Sequence, residues 1–305
     1  MTSDQNIIAL ANKGTTSILN FENQQPHKHF DSFIFGSSLT ISTPCDEWLK
    51  YLPEGSRPFH FDASAMNIEQ MCQYMEYLTA HADVRNAYII TDPHLLNTDP
   101  PTCPSSPLVA YQKDLINVKY LNGFRYWLSF NGSIGLNAAI HTGNLSWVLD
   151  YTNIYHYRVA DNQEFYLRRP EFFNWLDSLS HISIEERMVM NPPRIMKPFL
   201  HGKKLDLLKR FADILSREGT DYRLVLISTA KTDGIHRPLH LAPADSVVMR
   251  EIFGDRFISA QWLSLPWSFD TVSTFDNFHF TDDVAVRLLD YVYGDSVRNT
   301  QPAAL

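Results

Sequence analysis

The sequence is short of cysteine, of positive charge and of long hydrophobic runs. Its 305 residues include only three cysteines, Cys45, Cys72 and Cys103, and none of them forms a Cys-x-x-Cys pair. This scarcity argues against a disulfide framework and a structural zinc site, so buried or inert thiols are expected. Lys and Arg number 26 against 34 Asp and Glu, a formal net charge of -8. Nucleic acid is therefore disfavoured as a partner, since no overall positive field attracts it.

The chain also lacks a predicted membrane segment. No apolar run is long enough to cross a bilayer, and residues Met1 to Gly14 have neither the basic region nor the apolar core of a signal peptide. We therefore expect no membrane span and a cytoplasmic protein. A periplasmic or extracellular location would follow if an amino-terminal anchor had been removed.

Apolar residues make up 44% of the chain, which is enough for a large core. Short apolar runs alternate with segments of helical periodicity, as in proteins built from strand–helix–strand units. This alternation predicts an α/β fold, a three-layer α/β/α sandwich with a mainly parallel central sheet. The predicted strands are 32–35, 57–61, 86–92, 222–228 and 257–260, and the predicted helices are 68–81, 202–218, 244–254 and 284–293.

Other segments predict less regular structure. Residues 15–30 are predicted to precede the domain core without forming a regular element. Residues Pro93 to Pro107 are rich in Pro, Ser, Thr and Asp, which predicts a loop. Residues 110–200 combine helix-breaking glycines with many aromatic residues, and we interpret them as an insertion or cap on a single domain spanning 1–305. The aromatic residues of the insertion either stack on carbohydrate or pack against the body of the domain.

The first predicted strand runs into a turn that presents two hydroxyl groups. Phe33-Ile34-Phe35 is followed by Gly36, Ser37 and Ser38. In open α/β sheets ligands bind at the carboxyl ends of the strands, so the two serines are candidate functional residues. Asp92 ends the third predicted strand and would border the same crevice in a doubly wound sheet, although the sequence assigns it no role.

A second candidate group lies near the carboxyl end of the chain. Asp276 and His279 form an Asp-x-x-His motif just before the last predicted helix. A serine hydroxyl becomes a good nucleophile when an imidazole takes its proton, and a carboxylate orients that imidazole. No His-x-Glu motif suggests metal-dependent hydrolysis, so neither a metal nor another cofactor is predicted.

The order of these motifs resembles the SGNH/GDSL hydrolase superfamily. The Gly-Ser-Ser turn is most similar to the branch that contains the lipoteichoic-acid D-alanylation protein and bacterial polysaccharide O-acetylation proteins. The resemblance implies a flavodoxin-like fold and a triad of Ser38 as nucleophile, His279 as base and Asp276 as its orienting acid. It also implies an oxyanion hole, for which the candidate donors are the Ser38 amide, an amide near Ala65 and the Asn67 side chain.

The resemblance departs from the family pattern at three places. Ser37 replaces the usual aspartate, Ala65 stands about where an oxyanion-hole glycine is expected, and no Gly-x-Asn-Asp block is present. The leading hypothesis is a serine esterase or O-acyltransferase that acts through an acyl-serine on acetyl or small acyl esters of a carbohydrate. The alternative is a catalytically silent SGNH-like module that binds a glycan or a protein.

Overall fold

The structure, a computed structural model, describes residues 6–7, 13–63, 66–98, 155–158, 160–166, 194–228, 239–261 and 282–294. The described elements in chain order are β1 (Asn6–Ile7), α1 (Lys13–Lys28), β2 (Ser32–Gly36), a 3₁₀ turn (Ser38–Thr40), α2 (Cys45–Leu49), β3 (Pro58–Asp62), α3 (Ile68–His81), β4 (Asn86–Thr91), α4 (Pro93–Asn97), β5 (Tyr155–Arg158), β6 (Gln163–Tyr166), β7 (Arg194–Ile195), α5 (Lys203–Arg217), β8 (Asp221–Leu226), β9 (Leu239–His240), α6 (Pro243–Phe253), a second 3₁₀ turn (Gly254–Arg256), β10 (Phe257–Ser259) and α7 (Asp282–Tyr293).

Five parallel strands form the central sheet, in the order β3-β2-β4-β8-β10. Numbered along the chain, this order is 2-1-3-4-5, the flavodoxin-like arrangement. The chain places β3 on one side of β2 and then β4 on the other, so the strand order reverses between β2 and β4. The predicted α/β class and the mainly parallel sheet are confirmed.

The sheet is buried on both faces because alternate side chains of each strand enter different hydrophobic clusters. Phe33 and Phe35 of β2 belong to one cluster, which also contains residues of α1, α3, α5 and α6. Ile34 belongs to the other, with residues of α2 and α7. A parallel sheet covered by helices on both faces needs apolar residues at successive positions, as this strand has.

The prediction for residues 15–30 is wrong, because most of this segment forms helix α1. Most residues of this helix are polar, but Ile18 and Phe21 form a short apolar face that is buried. The Phe21 ring packs edge-on against Phe33 of β2 and Phe59 of β3, at centroid distances of 5.9 and 5.8 Å. Packing on the sheet thus stabilises a helix that local periodicity predicts only weakly.

The predicted loop from Pro93 is wrong over its first five residues, which form α4. Asp92 caps this helix, since its Oδ1 accepts the Leu95 amide hydrogen at 2.6 Å. Pro93 follows at the first helical position, where its missing N–H costs no hydrogen bond. Residues 99–107 of the predicted loop lie outside the described residues.

The insertion predicted at 110–200 is described only in part. Strands β5 and β6 form an antiparallel hairpin, and β1 pairs with β5. The short strand β7 pairs in parallel with β9. In the described part of the chain, no helix has the length and apolarity needed to cross a membrane.

Candidate active site

The turn after β2 brings Ser37 and Ser38 to the carboxyl edge of the sheet, next to the point where the strand order reverses. Gly36 is required at this position, because its φ is +149° and a Cβ atom would overlap the carbonyl oxygen of Ile90 on β4. A side chain would therefore push the end of β2 away from β4. This close approach sets where the two hydroxyl groups lie.

The two serines have different environments. Ser37 is buried, and its Oγ accepts the Leu39 amide hydrogen at 3.2 Å, so it caps the 3₁₀ turn. Ser38 is half-buried. A nucleophile must be reachable by a substrate, and of these two residues Ser38 is the more exposed.

Asn67 follows β3, the strand beside β2. It lies five residues after Asp62, which ends β3 and pairs with Gly36 in the sheet. It caps α3 in a capping box: its Oδ1 accepts the Gln70 amide hydrogen at 3.0 Å, and its own amide donates to Gln70 Oε1 at 3.1 Å. The carbonyl end of the Asn67 side chain is thus used by the helix, and its NH₂ group is the end that carries donor hydrogens. Its assignment to an oxyanion hole stays a prediction.

Three other predicted site residues, Ala65, Asp276 and His279, lie outside the described residues. The structure therefore leaves the triad and the amide near Ala65 as predictions. Helix α7 begins at Asp282, three residues after His279.

A buried polar cluster beneath the turn was not predicted from the sequence. Thr40, His60 and Asp62 are all fully buried. The Thr40 hydroxyl lies 2.8 Å from the Ser37 carbonyl oxygen and 3.2 Å from Asp62 Oδ2. The alternation of Phe59, His60, Phe61 and Asp62 along β3 was a signal, because it places the two polar side chains on one face of a strand.

The hairpin β5–β6 covers the exposed edge of β3 with its turn. The His60 amide donates to the Asp161 carbonyl oxygen at 2.9 Å, and Asn162 Nδ2 donates to the His60 carbonyl oxygen at 2.6 Å. Asn162 is buried and adopts a φ of +58°, in the left-handed region that Asn tolerates. The turn of the hairpin thus satisfies backbone groups that an edge strand would otherwise expose.

Gln163 of the hairpin holds the chain that follows the candidate nucleophile. Its Nε2 donates to the Ile41 carbonyl oxygen at 2.9 Å, and its Oε1 accepts the Cys45 amide hydrogen at 3.0 Å. No local pattern predicts this contact, because the partners are 122 and 118 residues apart. Arg158 adds an ion pair with Asp46 of α2 at 3.0 Å.

The two described cysteines are buried, as expected. Burial raises the pKa of Cys45 well above its ordinary value and that of Cys72 to about 12. Both thiols therefore stay protonated near neutral pH and are poor nucleophiles. The part of the chain that the structure describes contains no group of three or more His, Cys, Asp or Glu side chains arranged to hold a metal ion.

A cleft of about 800 Å³ lies at the opposite edge of the sheet. Its lining includes Asn86 and Asp221, which begin β4 and β8, and Tyr293, which ends α7. It is therefore separate from the carboxyl edge, where Ser38 lies.

Comparison with known proteins finds no protein-family model and no curated protein that matches this chain. The resemblance to the SGNH/GDSL superfamily thus rests on the motifs of the sequence.

Proposed function

We propose that the protein is a serine esterase or O-acyltransferase of the SGNH/GDSL type, with Ser38 as nucleophile and an acyl-Ser38 intermediate. The observation that carries this proposal is the placement of Ser38. Ser38 is half-buried at the carboxyl end of β2, beside the strand-order reversal, while the neighbouring Ser37 is buried and its hydroxyl caps the turn. Ligands of doubly wound sheets bind at this position.

The direction of α7 supports His279 as the base. Tyr293, at the end of α7, lies beside Arg223 near the start of β8, with the guanidinium 5.6 Å from the ring centroid. The carboxyl end of α7 is therefore at the amino edge of the sheet, and the helix runs back from the carboxyl edge. His279 precedes the first residue of α7, Asp282, by three residues. Three residues of chain span at most about 11 Å, so a base at position 279 is within reach of the carboxyl edge.

In the proposed reaction, Ser38 Oγ attacks the carbonyl carbon of an ester while His279 takes the hydroxyl proton. The oxyanion of the tetrahedral intermediate accepts hydrogen bonds from the Ser38 amide, an amide near Ala65 and the Asn67 side chain. Collapse of the intermediate breaks the ester bond, and His279 returns the proton to the leaving alcohol. Water then releases the acyl group in a hydrolase, or a sugar hydroxyl accepts it in a transferase.

A fluorophosphonate probe and p-nitrophenyl acetate test the assignment. We expect the probe to label Ser38, identified by mass spectrometry of the modified peptide. Ser38→Ala and His279→Ala should each lose on the order of 10³-fold or more in acyl-ester turnover, with a smaller loss for Asp276→Asn. Ser42→Ala, which removes a buried hydroxyl four residues away, serves as the control and should retain activity.

Full activity in Ser38→Ala or His279→Ala would exclude the proposed triad. Folded protein whose Ser38 is not labelled would instead favour the alternative, a catalytically silent module that binds a glycan or a protein. Acetyl or small acyl esters of a carbohydrate are the proposed substrates, on the strength of the resemblance. Product analysis with an acetylated oligosaccharide, with and without a sugar acceptor, would distinguish hydrolysis from transfer.

A further inference from the structure

Thr40 ends the 3₁₀ turn that carries Ser38, and its hydroxyl contacts both that turn and the neighbouring strand. The hydroxyl lies 2.8 Å from the Ser37 carbonyl oxygen and 3.2 Å from Asp62 Oδ2. A hydroxyl has a single proton, so the three groups form one three-centre hydrogen bond. The turn and the end of β3 are therefore linked through this side chain.

The backbone of Thr40 is held as firmly as its side chain. His60 Nε2 lies 2.8 Å from the Thr40 carbonyl oxygen, which also accepts the Thr43 amide hydrogen at 2.9 Å. Both lone pairs of this carbonyl are thus used, and the imidazole nitrogen acts as the donor. Together with Asp62, His60 connects β3 to two points of a single residue.

The strand residues that hold Thr40 are themselves fixed by buried contacts. Ser17 Oγ of α1 donates to the Asp62 carbonyl oxygen at 2.8 Å, and Asn162 Nδ2 donates to Ser17 Oγ at 3.0 Å. Asn20 in turn donates to Asn162 Oδ1 at 2.9 Å. Because these groups are buried, a broken contact leaves a polar atom without water to replace its partner. The cluster therefore resists displacement of the turn.

We propose that Thr40, held by His60 and Asp62, is a positioning residue for Ser38. It sets the position of the Ser38 hydroxyl and amide without contacting substrate. This inference rests on the proposed function for its effect on the reaction, whereas the constraint on the turn holds whatever the protein does.

The variant Thr40→Val removes the hydroxyl and keeps the shape of the side chain. Thr40→Ser restores the hydroxyl. Thr43→Val is the matched control, because Thr43 is a fully buried threonine three residues away whose hydroxyl has no hydrogen-bond partner among the described residues. All variants are compared at a temperature at which circular dichroism shows each of them to be folded.

The kinetic readout is fluorophosphonate labelling of Ser38, separated into the affinity for the probe and the maximal labelling rate. Thr40→Val should lower the maximal rate about tenfold with little change in affinity. Thr40→Ser should restore most of the rate, and Thr43→Val should match the wild type. If the wild type is labelled and Thr40→Val is labelled equally fast, the positioning role is wrong while the proposed function stands.

Amide hydrogen exchange of a peptide covering residues 36–43 supplies a readout that does not depend on catalysis. Faster exchange in Thr40→Val than in both Thr40→Ser and Thr43→Val is the expected result, because the turn loses its link to Asp62. If wild-type Ser38 is not labelled, the proposed function fails, and exchange alone decides the inference. Equal exchange in Thr40→Val and Thr43→Val would overturn it.

Discussion

At the scale of single residues, the candidate site depends on one glycine. The end of β2 lies so close to β4 that a Cβ atom at Gly36 would overlap the Ile90 carbonyl oxygen. The backbone at Gly36 also adopts a positive φ that other residues rarely adopt. The backbone conformation and the lack of space for a Cβ atom thus both exclude a side chain at Gly36. Because Gly36 has no side chain, the end of β2 can lie close to β4, and this sets the position of Ser38.

Gly36→Ala should lower the free energy of unfolding by about 3 kcal/mol or more, because backbone must move to accept the methyl group. Gly55→Ala is the control, since Gly55 also has a positive φ, +84°, but has open space around its Cβ position. That control should lose about 1 kcal/mol from backbone strain alone. Urea unfolding at constant m-value measures both. Equal losses would show that the overlap with Ile90 contributes nothing.

At the scale of elements, the residue that caps helix α3, Asn67, is also the residue that we propose as an oxyanion donor. The Asn67 side chain and the Gln70 side chain bond each other's backbone amides, which satisfies two donors that a helix start leaves open. The same residue can therefore affect stability through the cap and catalysis through its NH₂ group. A substitution that keeps the capping oxygen and removes the NH₂ group separates the effect on stability from the effect on catalysis.

Asn67→Ala should destabilise the fold by about 1 kcal/mol, whereas Asn67→Ser, which keeps a capping oxygen, should lose only a few tenths. Thermal or urea unfolding checks this difference. If the NH₂ group is an oxyanion donor, Asn67→Ser should still lose about 10²-fold in ester turnover. Wild-type turnover in Asn67→Ser would remove Asn67 from the oxyanion hole and leave it a helix cap.

At the scale of the whole molecule, distant segments converge on the carboxyl edge of the sheet. The hairpin β5–β6 covers the edge of β3 through Asn162, and Gln163 holds the chain after Ser38. His240 is buried on the short strand β9. Burial lowers its pKa from 6.5 to about 4, so this histidine is neutral in the folded protein near neutral pH.

The buried His240 should make the protein less stable in mild acid. Between about pH 6.5 and pH 4 the unfolded chain binds a proton at His240 that the folded protein does not, so the free energy of unfolding falls as the pH is lowered through this range. His240→Gln should weaken this fall. Urea unfolding of the wild type and of this variant, measured at a series of pH values, checks the difference. Identical pH profiles for wild type and His240→Gln would contradict the prediction.

Local patterns in the sequence were sufficient for much of the fold. The alternation of apolar strands with amphipathic segments predicted the α/β class, all five strands of the central sheet and helices α3, α5, α6 and α7. These features depend on residues close together in the chain, where propensity, periodicity and capping act.

What the sequence determined about the site was the order of its candidate residues, with Ser38 after the first strand and Asp276 and His279 before the last helix. Only the tertiary structure decided that Ser37 is buried while Ser38 is the more exposed residue. It also revealed helix α1 and the contacts of Thr40 and Gln163. Those features depend on packing and on hydrogen bonds between residues as much as 145 positions apart, and no local pattern encodes them, because the partners meet only when the chain is folded.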